Sequence, residues 1–155
     1  MKGTTHLAAG LAAAGILYQQ QPDIVFALCL TAGSILPDID KHTSMVGRRV
    51  PVVPLLLKHR GITHSLLFSA VLFIVYKPLG LGVALHLILD MFNPEGIPLL
   101  WPLPKYFRIP IIHHLCPSGG IVDTILGAAL WVTVAFLAAC IVTGTAPMPF
   151  IRQFF

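Results

Sequence analysis

Four short strings hold seven of the thirteen histidines and acids, the side chains best suited to ligate a metal or move a proton: THLAAG with His6, LPDID with Asp38 and Asp40, HRGITHS with His59 and His64, and HLILD with His86 and Asp90. His86 and Asp90 are four apart, so a helix sets them on one face about 5–6 Å apart at Cβ, where they can share one ion or bridge two. Taken singly, the same pair serves as an interhelical polar contact. Asp38 and Asp40 flank Ile39 just after Pro37, an expected extended turn that could aim both carboxylates at one site. His64 follows a possible N-cap, Thr63, and His6 lies near the start of the first apolar stretch.

The combination carries more than its parts. A charged side chain at membrane depth costs about 2.5–3.5 kcal/mol unless paired or bound, so three aspartates and four histidines imply neutralisation. Two or more divalent cations would achieve it, with zinc favoured and manganese or iron(II) as alternatives for mixed nitrogen and oxygen donors. Water on such ions loses a proton near neutral pH, which makes hydrolysis the natural chemistry. The metal ligands expected are His6, Asp38, Asp40, His59, His64, His86 and Asp90; Asp40, His59 and Arg60 are the expected catalytic groups. The planar Arg60 fork suits a phosphate better than Lys58 does. Ser65 is expected to bond back to its own helix. His42, His113 and His114 read as solvated loop histidines, and Asp123 as a first-turn acid favoured by the helix dipole.

Which elements bring these residues together? Of 155 residues, 56% are hydrophobic and 10% charged, outside soluble usage. Hydropathy and breakers predict five helical spans, about Thr4 to Tyr18, Ile24 to Leu36, Ile62 to Tyr76, Leu79 to Phe92 and Ile121 to Gly144. The expectation is an all-α integral membrane protein, a compact five-helix bundle forming one domain over residues 1–155. The first four spans are short for a hydrocarbon core of about 30 Å and need partners, tilt or local thinning. Ala8, Gly10, Ala12, Ala14 and Gly15 would let the first helix pack closely. Lys2 before an apolar run resembles a secretory signal, but His6 and the Gln19–Gln21 run argue that the segment stays as a helix.

Two long proline-rich loops, 37–61 and 93–120, carry most of the cations. With the amino terminus inside, Lys2, Lys41, Arg48, Arg49, Lys58, Arg60, Lys105 and Arg108 fall on the cytoplasmic side, leaving Lys77 and Arg152 outside. The same threading puts the histidines and all acids but Asp23 near the cytoplasmic ends. Trp101, Tyr106 and Phe107 suit an interfacial belt. The net charge of +4 is scattered and forms no basic track, so nucleic acid is not an expected partner. Cys29, Cys116 and Cys140 have no zinc-ribbon or disulfide spacing.

The order THLAAG, LPDID, HRGITHS, HLILDMFNPEGIPLLWP, over roughly Thr5 to Pro104, resembles the LexA-binding, inner membrane-associated family of metal-dependent hydrolases. The resemblance implies a membrane-bound hydrolase whose site uses His6, Asp38, Asp40, His59, His64, His86 and Asp90. The H-x-x-x-D element is also similar to that of zinc-dependent phospholipases C and single-strand nucleases, which favours phosphoester cleavage. Lys41 stands where many relatives have a histidine, with His42 one place on. The function expected is hydrolysis of a membrane-lipid phosphoester at the cytoplasmic face of the inner membrane. The alternatives are a lipid amide or ester hydrolase and a metal or proton transporter, whose ion path would also need intramembrane His and Asp.

Overall fold

The computed structural model describes residues 1–109 and 116–145, so His113, His114 and Arg152 lie outside the described residues. Among the described residues six α-helices follow in order: α1 Gly3–Gln20, α2 Ile24–Ile35, α3 Val53–Leu56, α4 Leu66–Val75, α5 Lys77–Asp90 and α6 Ile121–Thr143. Among the described residues there is no strand, only an isolated antiparallel bridge between Ile97 and Phe107.

Local chemistry accounts for most boundaries. Alanines give α1 its propensity. The Asp23 carboxylate accepts the Phe26 N–H at 2.9 Å and caps α2. Pro78 suits the first turn of α5, and Gly144, at φ +67°, ends α6 in a left-handed turn. Two local expectations are corrected. LPDID is not extended, because Leu36–Asp40 continues α2 as a 3-10 turn. HRGITHS does not open a helix: Ile62–His64 is a 3-10 turn, and α4 begins at Leu66 with Ser65, not Thr63, as its cap. Ser65 Oγ accepts the Phe68 N–H at 3.1 Å and donates to the Ile62 carbonyl at 2.6 Å.

Only α6 is both long and apolar enough to cross a membrane among the described residues. Helices α2, α4 and α5, with 12, 10 and 14 residues, reach about 18, 15 and 21 Å at 1.5 Å per residue. Helix length alone therefore does not carry a five-span bundle.

The helices pack α6 on α1, α1 on α2, α2 on α5 and α5 on α4. Helices α2 and α5 cross at glycines: a Cβ on Gly82 would stand 2.1 Å from the Leu30 carbonyl oxygen, and one on Gly33 would stand 2.2 Å from that of Leu79. Such close approach is what small residues permit where burial of apolar area drives little association. The distribution of polarity is inverted relative to a water-soluble fold. His6, His64, His86, Asp40 and Asp123 are among the largest fully buried side chains, whereas Ile24, Leu28, Ile74, Val75, Ile121, Val132 and Val142 are exposed. A small apolar core of Val83, Leu87 and Ile97 lies beside this polar interior.

Candidate metal centre

Asp90, in the last turn of α5, is the hub. Its Oδ1 accepts the Met1 amine at 2.8 Å and lies 3.1 Å from His6 Nε2 near the start of α1. Its Oδ2 lies 3.7 Å from both His64 Nε2 and His86 Nε2. The His6 ring stacks on His86 with centroids 3.8 Å apart, and His64 meets His86 edge-on at 5.2 Å. Helices α1 and α5 and the turn ahead of α4 thus deliver three buried imidazoles to one carboxylate.

The outer nitrogens decide what those imidazoles can do. His86 Nδ1–H donates to the Ser34 carbonyl at 2.8 Å, since a carbonyl can only accept. His64 Nδ1 lies 3.1 Å from Asp40 Oδ2, and donation to that carboxylate fixes the same tautomer. Both Nε2 atoms then present lone pairs, and both are buried without a hydrogen-bond partner among the described residues, as is His6 Nδ1. Two lone pairs facing a carboxylate oxygen repel unless a cation or proton lies among them. Donors each about 2.0–2.2 Å from one ion lie roughly 3–3.5 Å apart, close to the 3.7 Å separations here. Two donor groups come near this spacing: His6, His86 and Asp90, and Asp38, His64 and His86, with ligand atoms within 4.8 Å of one another in each, so that small side-chain shifts would close them on an ion. The residues present therefore fit divalent cations.

Asp40 sits one layer out. Its Oδ1 faces His59 Nδ1 at 2.8 Å, and its Oδ2 accepts the Arg60 N–H at 3.0 Å and the Thr63 hydroxyl as well as bonding His64. Burial alone would raise the Asp40 carboxyl pKa, but the His59 and His64 contacts outweigh it, and the group is held well below the usual carboxylate range. With its oxygens so occupied, Asp40 orients His64 and the Arg60 turn. Arg60 adopts φ +58°, a left-handed conformation that non-glycine residues rarely hold outside constrained sites. Its guanidinium pairs with Glu95, while Nε is buried and unpartnered among the described residues. A cavity of about 560 Å³ lined by Asp40, Lys41, His42, Leu55 and His59 opens onto this layer.

The structure draws together His6, Asp38, His64, His86 and Asp90. Asp40 and His59 fall in neither donor group, with the His59 side chain 37% exposed. His42 is exposed on the cavity wall. Asp123, expected as a simple first-turn acid, is fully buried and accepts from Lys2 N, Gly119 N and the Thr5 hydroxyl at 2.9, 2.7 and 2.8 Å, which locks α6 to the start of α1. Sequence reasoning missed Ser34, whose contribution is a backbone carbonyl and leaves no side-chain signal. It also missed Glu95, an acid in the NPEG turn of the fourth string.

A family model described as "YdjM inner membrane protein" matches residues 1–148. The chain is 37% identical over 128 residues to YvsG of Bacillus subtilis (strain 168), covering 72% of this chain and 79% of that protein. It is also 37% identical over 97 residues to inner membrane protein YdjM of Escherichia coli (strain K12), and to the same extent to that of Shigella flexneri. That match covers 50% of this chain and 50% of the Escherichia coli protein. No solved structure matches the chain.

Proposed function

The chain belongs to the YdjM inner membrane protein family, and from that premise we propose that it is a multi-pass, metal-dependent hydrolase that cleaves a phosphoester of a membrane lipid. The observation that carries the proposal is the pair of buried, unpartnered Nε2 atoms of His64 and His86 facing Asp90 Oδ2. His6, Asp38, His64, His86 and Asp90 would hold two divalent cations, zinc before manganese or iron. Such cations supply the acidity that makes water a nucleophile near neutral pH and polarise a phosphoryl oxygen.

The other residues bind, orient and move protons. Asp40 and the Ser34 carbonyl hold His64 and His86 in the ligating tautomer. His59, on Asp40 and at the wall of the 560 Å³ cavity, is placed to pass a proton between site and solvent. Arg60 offers its free Nε to a phosphate.

The apolar residues exposed on α2, α4 and α6 favour embedding all five long helices, the short ones tilted or in thinned bilayer. The split of Lys and Arg favours an amino terminus and site facing the cytoplasm.

The test combines elemental analysis of protein purified without chelator with product analysis on radiolabelled phospholipids. A transition metal bound in stoichiometric amount and a released phosphoester product, both lost in the His86→Ala/Asp90→Ala double variant, are expected. Metal content unchanged in that variant refutes the ligand assignment; a fatty amine or acid as product moves the reaction to an amide or ester.

A further inference from the structure

A second cavity, of about 380 Å³, lies on the far side of the Leu56–Lys58 wall from the first. One flank is the segment ahead of α4, with Leu57, Arg60 and Ile62; the other is the proline-rich loop, with Trp101, Leu103 and Tyr106. The loop is held in place by the Ile97–Phe107 bridge, with N···O distances of 3.0 and 2.8 Å. A Leu66 N–H to Leu99 carbonyl bond of 2.8 Å ties it to the first turn of α4. Leu66 and Leu67 beside that tie are about half exposed, so the groove abuts the apolar outer face of α4.

Its two kinds of lining point to one class of ligand. The walls are aliphatic and aromatic, and Leu56, Leu103 and Tyr106 stay exposed at the rim. At the inner end is Arg60, nine-tenths buried, with a Nε–H that has no acceptor among the described residues. A buried charged donor left unsatisfied is costly, and the left-handed backbone of Arg60, bonded through its N–H to Asp40, holds it there. A soluble anion would use the guanidinium and gain nothing from the walls; an uncharged chain would use the walls and leave the donor bare.

We infer that this groove seats an anionic phospholipid of the same bilayer, with an acyl chain between Leu57, Ile62 and Leu103 and the phosphate at Arg60. The volume falls within the roughly 300–1,000 Å³ usual for ligand cavities. Since Arg60 N–H bonds the carboxylate that orients His64, a phosphate there stands beside the candidate metal centre. As a substrate site the groove rests on the lipid hydrolase reading; as a lipid site it does not.

The test uses the full chain in nanodiscs of phosphatidylcholine containing a trace of phosphatidylglycerol with a diazirine at the end of one acyl chain. After photolysis, adducts are mapped by peptide mass spectrometry, with Ile74 on the outer face of α4, 84% exposed, as the bulk-lipid comparator. Saturable adducts at Ile62, Leu103 and Tyr106 are expected, competed by unlabelled phosphatidylglycerol and about fivefold less well by phosphatidylcholine, a difference of about 1 kcal/mol. Leu103→Asp, which puts a charge in the apolar wall, lowers the groove adducts while Ile74 adducts persist. Arg60→Gln keeps the adducts and abolishes the preference for the anionic lipid. Groove adducts that scale with lipid like those of Ile74, or that free glycerol phosphate displaces, overturn the inference. Asp90→Asn keeps the groove adducts while stopping hydrolysis; hydrolysis without saturable adducts therefore sinks the groove alone, and saturable adducts without hydrolysis sink the catalytic reading alone.

Discussion

Asp40 Oδ2 lies 3.1 Å from His64 Nδ1 although the two residues are 24 apart in the chain. The contact turns the other imidazole nitrogen, buried and without a hydrogen-bond partner among the described residues, toward Asp90. A carboxylate behind a ligating histidine fixes its tautomer and raises its basicity, so Asp40 would act on the proposed centre through the His64 ring.

Asp40→Asn follows from that geometry. The amide retains the shape but no longer draws the Nδ1 proton, and metal affinity is expected to fall about 10- to 100-fold. Chelator competition with purified protein measures it; affinity equal to the parent's would show that Asp40 does not tune His64.

Asp123→Ala leaves Lys2 N–H, Gly119 N–H and the Thr5 hydroxyl without their acceptor. Unsatisfied donors cost about 1–3 kcal/mol each, so a loss of several kcal/mol is expected in detergent unfolding, with His6 displaced because α1 loses its anchor. A change within about 0.5 kcal/mol, as at an ordinary surface site, would show that the lock between α1 and α6 is dispensable.

Gly82→Val drives a branched side chain into the α2 backbone, where even a Cβ stands 2.1 Å from the Leu30 carbonyl oxygen. Overpacking costs about 1–3 kcal/mol, and more against backbone. The expected outcome is a lower melting temperature and reduced metal retention together, because Ser34 and His86 face one another across this helix pair. Melting unaffected by the substitution would contradict the close crossing.

Topology is open to direct chemistry. In a background lacking Cys29, Cys116 and Cys140, Lys77→Cys at the start of α5 should react with a membrane-impermeant maleimide from outside intact cytoplasmic membranes, and Lys41→Cys only after lysis. The reverse pattern would invert the proposed orientation, and equal labelling of both from one side would end the multi-pass reading.

Glu95 is 73% exposed where it meets Arg60. Its partner Arg60 is nine-tenths buried, and a buried donor left without its acceptor costs about 1–3 kcal/mol, so Glu95→Gln should lower stability modestly and strengthen anion binding at Arg60. Isothermal titration of inorganic phosphate reads the second effect, and weaker binding would mean that Glu95 holds Arg60 in its receptive position.

Much of the candidate centre was legible because its proposed ligands sit where simple periodicities apply. The four-residue step from His86 to Asp90 needs only a helix, and α5 is one. The position of His6 near the start of a helix followed from hydropathy, whereas His64 lies in the 3-10 turn ahead of α4. What stayed hidden depends on long-range partners. Asp38 and Asp40 look equivalent in LPDID, yet a 3-10 turn separates their directions, and only the contacts with His59, Arg60, Thr63 and His64 set Asp40 apart. Thr63 was a fair cap by residue type but spends its hydroxyl on Asp40, leaving Ser65 to cap α4. The anticipated spans match helices to within a few residues except at HRGITHS, where Gly61 and the bonds to Asp40 favour a tight turn over helical extension.

Because His86 belongs to both donor groups, neither proposed chelate could close before α5 has been synthesised. His6, Asp38 and His64 are made earlier and would wait for α5 to arrive beside them. Ion uptake would therefore mark a late step of biogenesis, since the third donor of either group arrives only with α5.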